Sequence, residues 1–275
     1  MPSIPNRTDR SAAISIASLA AVVLAAMSCS QARGEVVAKA HASIDWSSLA
    51  ISYHGPHSSG PLPLLSGITQ SYATWNGAEV GDDEAFSSTH PVATSVAEIG
   101  GSRAVGMIHG SSIVADSLVA GPSGVLFHGS AETDSGISWA FTAPRLPISL
   151  RVVLTVSFRY ELSVALRTDA LGDAAGAQAD IALTVGGGPG PTGPTLTLHR
   201  TASDGRDVGP LTKQGTAHFT FVFRLPTTGQ ATSLYRFNLN ANAASVATSV
   251  PSAGPTALGM VATVMASRRR RSRSG

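Results

Sequence analysis

Residues 150–167 read L-R-V-V-L-T-V-S-F-R-Y-E-L-S-V-A-L-R. Val152, Leu154, Val156, Phe158, Tyr160, Leu162, Val164 and Leu166 share one parity. Arg151, Thr155, Ser157, Arg159, Glu161, Ser163 and Arg167 share the other. Such alternation builds a β-strand with one dry face and one wet face. The run is longer than the usual strand, which predicts a bend or a central place in a large sheet.

The pattern recurs outward from this stretch. Val36, Ala38, Ala40, Ala42, Ile44 and Trp46 alternate with Lys39, His41, Ser43 and Asp45. Ala177, Ala179, Ile181, Leu183 and Val185 alternate with polar partners. Phe219, Phe221, Phe223 and Leu225 oppose His218, Thr220 and Arg224. Tyr235, Phe237, Leu239 and Ala241 oppose Arg236, Asn238, Asn240 and Asn242. Shorter strands are predicted at residues 49–53, 104–108, 125–131, 137–142 and 195–200. No interior segment keeps a helical period, and Ser/Gly/Pro/Asn-rich connections separate the strands. Many such strands joined by turns predict an all-β fold: an antiparallel two-sheet β-sandwich, jelly-roll-like. Residues 54–65 and the acidic residues 81–85 read as loops.

The two ends read differently. Arg7 and Arg10 precede an apolar stretch at residues 12–26, followed by Ser30-Gln31-Ala32. A basic region, an apolar region and a small-x-small site describe a secretory signal peptide, cleaved after Ala32. Cys29, the only cysteine, reads as a small residue discarded with that peptide rather than as a lipid attachment site. At the other end, Val250-Pro251-Ser252-Ala253-Gly254-Pro255 precedes a short apolar run at residues 256–266. Arg268, Arg269, Arg270, Arg271 and Arg273 follow it. Turn, apolar segment and terminal basic cluster form the order that holds a terminus on the cytoplasmic side of a membrane. The tail resembles the C-terminal sorting signal of the bacterial PEP-CTERM proteins, with Ser252 at the position of that family's Glu. The resemblance implies export, a cell-surface or exopolysaccharide-matrix location, and an exosortase-type processing enzyme as partner. It makes Val250, Pro251, Gly254 and Pro255 the sorting motif and Arg268 to Arg271 the membrane stop. An apolar run this short suits a transient membrane tether better than a lasting anchor. The expected organisation is therefore a signal peptide at 1–32, a β-sandwich at 33–245 and a sorting tail at 246–275.

The whole chain carries 19 Lys and Arg against 17 Asp and Glu, net +2, with a pI near 9.0. The basic surplus belongs to the ends. Residues 33–249 hold 12 basic and 16 acidic side chains, net −4. A mildly acidic body without a basic patch excludes nucleic-acid binding. Its lack of cysteine excludes a disulfide framework and thiolate chemistry.

Reactive-looking groups have simpler readings. His54-Gly55-Pro56-His57 is a turn, without the further ligands that zinc needs. Asp82-Asp83-Glu84 and Asp204-Gly205-Arg206-Asp207 read as solvated acidic turns, since neither has the spacing of a Ca²⁺ loop. The Gly-Pro-rich residues 186–194 lack the Lys-Ser/Thr of a phosphate cradle. Ser123 lies in Gly121-Pro122-Ser123-Gly124, a turn rather than a nucleophile elbow. Glu132 and Asp134 read as one hairpin tip, too close in sequence to flank a sugar. Trp46 falls on the apolar parity of its strand and reads as core. Trp75 precedes Asn76-Gly77, a turn signal, and is the tryptophan placed for ligand contact. These readings predict an exported surface or matrix structural protein with no catalytic residues, no cofactor and no metal. The alternatives are a carbohydrate-binding module and a secreted hydrolase.

Overall fold

The computed structural model describes residues 34–54, 64–86, 92–144, 151–186, 195–224 and 232–251. Among them are twelve strands and no helix. The strands are β1 (Glu35–His54), β2 (Leu64–Trp75), β3 (Ala78–Phe86), β4 (Val92–Ile99), β5 (Ser102–His109) and β6 (Ser112–Pro122). They continue as β7 (Phe127–Pro144), β8 (Arg151–Arg167), β9 (Ala174–Gly186), β10 (Thr195–Ser203), β11 (Asp207–Arg224) and β12 (Thr232–Ser249). Two six-stranded antiparallel sheets result: sheet A in the order β11-β8-β1-β6-β5-β4, and sheet B in the order β10-β9-β12-β7-β2-β3. Facing each other, they make the expected β-sandwich.

β8 has the predicted register. Leu154, Val156, Phe158, Leu162, Val164 and Leu166 are buried, and Tyr160 is partly buried. β8 lies between β1 and β11, second from the edge of sheet A. One end of the core is aromatic. Trp139 stacks on Phe237 at 5.5 Å, Phe221 meets Phe237 edge-on at 6.1 Å, and Phe158 meets Phe219 at 5.6 Å. Phe237 in sheet B thus meets Phe221 in sheet A across the interior.

The other end is built from small residues. Thr69, Ser71, Ala73, Ser95, Ala97, Ala104, Thr133 and Ser135 are buried there. Ser71 Oγ lies 2.8 Å from Ser95 Oγ, a hydrogen bond between the sheets. Ser117 Oγ and Ser245 Oγ make another at 2.8 Å. A Cβ on Gly106 would come within 2.7 Å of Ser135 Oγ. Small inward side chains let the sheets approach closely here. They also explain why β2, β4 and β6 escape a search for large apolar residues at period two.

Four readings are corrected. Residues 81–85 are not a loop but the middle of β3, paired with β2 along its length. Glu132 and Asp134 are not at a hairpin tip. They lie mid-strand in β7, which joins the two short strands predicted at 125–131 and 137–142. Both neighbours, β12 and β2, pair with this polar stretch, and their two-sided hydrogen bonding overrides its turn-like composition. Residues 36–46 and 49–53 form one strand, β1, with an irregularity between Asp45 and Ala50 where Trp46 N donates to Ser111 O at 2.8 Å. Finally, residues 246–249 belong to β12, paired with β7, rather than to the tail.

Candidate functional site

The outer face of sheet B gathers the chemistry. β12 runs through its middle and presents Asn238, Asn240 and Asn242, then Ala244 and Val246. Their parity is outward because Phe237, Leu239, Ala241 and Ala243 point into the core. The ladder sets rows across the sheet. Asn242 is in register with Asp134 on one side and Asp180 on the other. Asn240 is in register with Gly136, where a Cβ would come within 2.3 Å of Asn240 Oδ1. A side chain at that position would push the Asn240 amide aside.

Asp134 sits between two amides. Asn240 Nδ2 lies 3.5 Å from Asp134 Oδ2, and Asn242, with its amide nitrogen turned toward its acceptors, donates to Asp134 Oδ1 at 2.8 Å. Burial pushes the Asp134 carboxyl above its ordinary range. The Asn240 hydrogen bond opposes that, and the neighbouring Glu132 charge adds to it. Gln178 Nε2 donates to Asp180 Oδ2 at 2.5 Å.

Tyr72 lies on the same face. It is 48% exposed, in register with Glu132 of β7 and Gly81 of β3. A Cβ on Gly81 would come within 2.9 Å of the ring, so the tyrosine lies across that glycine. Three hollows open on this face. One, of about 570 Å³, is bordered by Ser66, Gly136, Ser138, Thr184, Asn238 and Asn240. A second, of about 310 Å³, lies among Glu132, Gln178, His199 and Ala244. The third, of about 570 Å³, lies around Gly176, Thr201, Val246 and Arg206. Such a surface offers carboxamide donors and acceptors, carboxylate acceptors and one aromatic face.

The residues singled out in the sequence fall elsewhere or serve other ends. Trp75 is partly buried and stacks on Phe127 at 5.0 Å. Cβ atoms on Gly100 and Gly101 would come within 2.3 and 2.9 Å of its ring, so glycines hold the turn between β4 and β5 against it. The turn signal after it is real: Asn76 (φ 51°) and Gly77 (φ 85°) close the β2–β3 hairpin, and Asn76 Oδ1 accepts from His128 N at 3.0 Å. Trp46 is partly buried against the core, and its Nε1 donates to Gly110 O at 2.6 Å. Ser123 lies in a turn as expected, but it is buried, and its Oγ donates to Asp173 Oδ2 at 2.6 Å. Asp204 (φ 58°) and Gly205 (φ 76°) form the turn between β10 and β11, where Asp204 Oδ1 accepts from Gly172 N at 3.2 Å.

Asp82 and Glu84 have a role that their sequence did not suggest. Their side chains reach β4, the edge of sheet A, where Asp82 Oδ2 accepts from Val96 N at 2.7 Å and Glu84 Oε2 from Thr94 N at 2.6 Å. Val250 is exposed, and its N–H donates to Gly172 O at 3.3 Å; exposed Pro251 follows. His54 ends β1. Ala32, His57, Gly254, Pro255, Arg268, Arg269, Arg270 and Arg271, and most of the Gly-Pro-rich connection at 187–194, lie outside the described residues.

Tyr72 and the hollows were not found from sequence. Tyr72 stands between Ser71 and Ala73, with no apolar alternation to mark its strand. The amide column was visible: three asparagines at period two are uncommon in a strand, because Asn is disfavoured there.

No family model matches this chain, and no curated protein matches it. One solved structure, "Structure of infectious bursal disease virus Gx strain", aligns with 81% of this chain and 59% of that chain at 11% identity. Its TM-score is 0.10, too low to support any argument about fold or function.

Proposed function

We propose that the chain is an exported structural protein of the cell surface or extracellular matrix, delivered by its two ends and without catalytic activity. The observation that supports this reading most is the junction at Val250. Ser249 Oγ donates to buried Asp173 at 2.7 Å, and among the described residues the Val250 N–H, donated to Gly172 O, is the last backbone tie to the sandwich. β12 thus ends directly before the Val-Pro motif. A tether attached beyond Ser249 can be cut without removing the hydrogen bond that ties the end of β12 to Asp173. In this reading the tail enters the membrane transiently. The basic cluster cannot cross, because an arginine at the membrane centre costs about 2.5–3.5 kcal/mol. An exosortase-type enzyme then acts near Val250 and Pro251.

Intact-mass measurement on the surface-bound protein tests this. The expected mass lacks residues 1–32 and the arginines from Arg268 onward. Deleting residues 251–275 should release the folded domain into the medium. Recovering the full C-terminus from protein at its final location would overturn the sorting reading.

A further inference from the structure

We infer that the outer face of sheet B is a binding site for a neutral, hydroxyl-rich polysaccharide laid along β12. The inference names a ligand for the domain and rests on the extracellular reading only for where that ligand would be met.

The hydrogen-bonding groups point to the ligand. A sugar hydroxyl is at once donor and acceptor, and a carboxamide matches it with an N–H₂ and a C=O on one rigid plane. Asn238, Asn240 and Asn242 repeat that plane at every second residue, and Asp134 between the last two accepts from either. The amides of Asn240 and Asn242 are held by Asp134 and that of Asn238 by Thr184 Oγ1 at 3.4 Å, so binding need not order them first.

Tyr72 supplies the complementary apolar surface. It lies beside Glu132, and its ring is supported by Gly81. An exposed aromatic face beside fixed polar groups suits a ring with an apolar side and a hydroxyl-bearing rim.

Shape and charge restrict the choice further. From Asn238 to Val246 the strand spans about 27 Å at about 3.4 Å per residue, a length for an extended chain rather than one small molecule. The hollows near Asn238, Ala244 and Val246 follow that line. Glu132, Asp134 and Asp180 make the middle of the face acidic. Among the described residues, Arg236 and Arg206 stand only toward its two ends. An anionic polymer would be repelled along the centre, whereas a neutral one is not.

The test uses the purified full chain in mild detergent, run through native gels containing a neutral polysaccharide (galactomannan or hydroxyethylcellulose) or the anionic polysaccharide alginate. Retardation by at least one neutral polymer and not by alginate is expected. Tyr72→Ala should weaken that retardation about five- to tenfold, the scale of one lost aromatic contact. Asn240→Ala and Asn242→Ala should weaken it similarly, while Thr155→Ala, on the outer face of sheet A, should leave it unchanged. Because Tyr72 is half-exposed, its variant should melt like the parent, which separates lost binding from lost folding. Three results would each overturn the inference: no retardation by either neutral polymer, equal retardation by alginate, or parental retardation in all three sheet B variants. None of them would alter the mass of the surface-bound protein, so the export reading stands or falls separately.

Discussion

Asp173 is 1% exposed at the end of the sandwich, where three connections converge. It accepts from Ser123 Oγ at 2.6 Å, Ser249 Oγ at 2.7 Å, Ala170 N at 2.9 Å and Asp169 N at 3.2 Å. The carboxylate therefore joins the β6–β7 turn, the β8–β9 connection and the end of β12. Burial alone would raise its pKa. The hydrogen bonds from Ser123, Ser249, Ala170 and Asp169 outweigh it, and the carboxyl titrates below its ordinary 3.8. Asp173→Ala should cost about 3 kcal/mol, because it leaves two hydroxyls and two amide N–H groups without their acceptor. A lowered folded-state pKa contributes stability that is complete above the unfolded value. That contribution is lost as the pH falls from 3.8 through the lower folded value. Thermal melts across that acid range should show a steeper slope in the parent than in Asp173→Asn, where Asp45 and Asp169, whose pKa values are also lowered, still titrate. The sequence offered no hint of this residue. Its two serine partners are 50 and 76 positions away, and only chain crossing brings them to it.

At the scale of the element, β8 is the strand whose register was most legible. Leu154 is buried, and Thr155 stands on the outer face beside Thr220, with their hydroxyls 3.4 Å apart. Leu154→Arg should unfold the domain, since an unpaired buried charge costs about 3–5 kcal/mol. Thr155→Arg should cost about 0.5 kcal/mol, as surface changes do. Similar melting points for the two would refute the register. β3 was misread because an edge strand obeys different rules. Its neighbours lie on one side only, so acidic residues carry little penalty there. Asp82 and Glu84 satisfy free N–H groups of β4 instead, closing that side of the sandwich to a further strand.

For the whole molecule, the spacing of the sheets is set by side-chain size. Large aromatic side chains fill the interior around Trp139, Phe158 and Phe237, while side chains of both sheets crowd against Gly106. Gly106→Ala places a methyl within 2.7 Å of Ser135 Oγ and 2.8 Å of Ser95 Oγ. Overpacking of this kind costs about 1–3 kcal/mol. Ser135 Oγ has no hydrogen-bond partner among the described residues, so Ser135→Ala should recover part of the loss in the double variant. Denaturant midpoints of the two singles and the double measure the coupling, and strict additivity would show that the sheets do not meet there as described.

What the sequence determined by itself is the class of fold and the inner face of its aromatic half. Period-two alternation of large apolar residues is a local signal, and it forces a strand with one buried side whatever the strand meets. The amide column of β12 was legible for the same reason. Tertiary structure alone decided the rest. It assigned each strand to a sheet, turned Asp82 and Glu84 into an edge seal and drew Glu132 and Asp134 into a central strand. It also brought Tyr72, the asparagines and three hollows onto one face. These outcomes depend on which strands become neighbours, and neighbours in a sandwich that crosses repeatedly between layers are far apart along the chain.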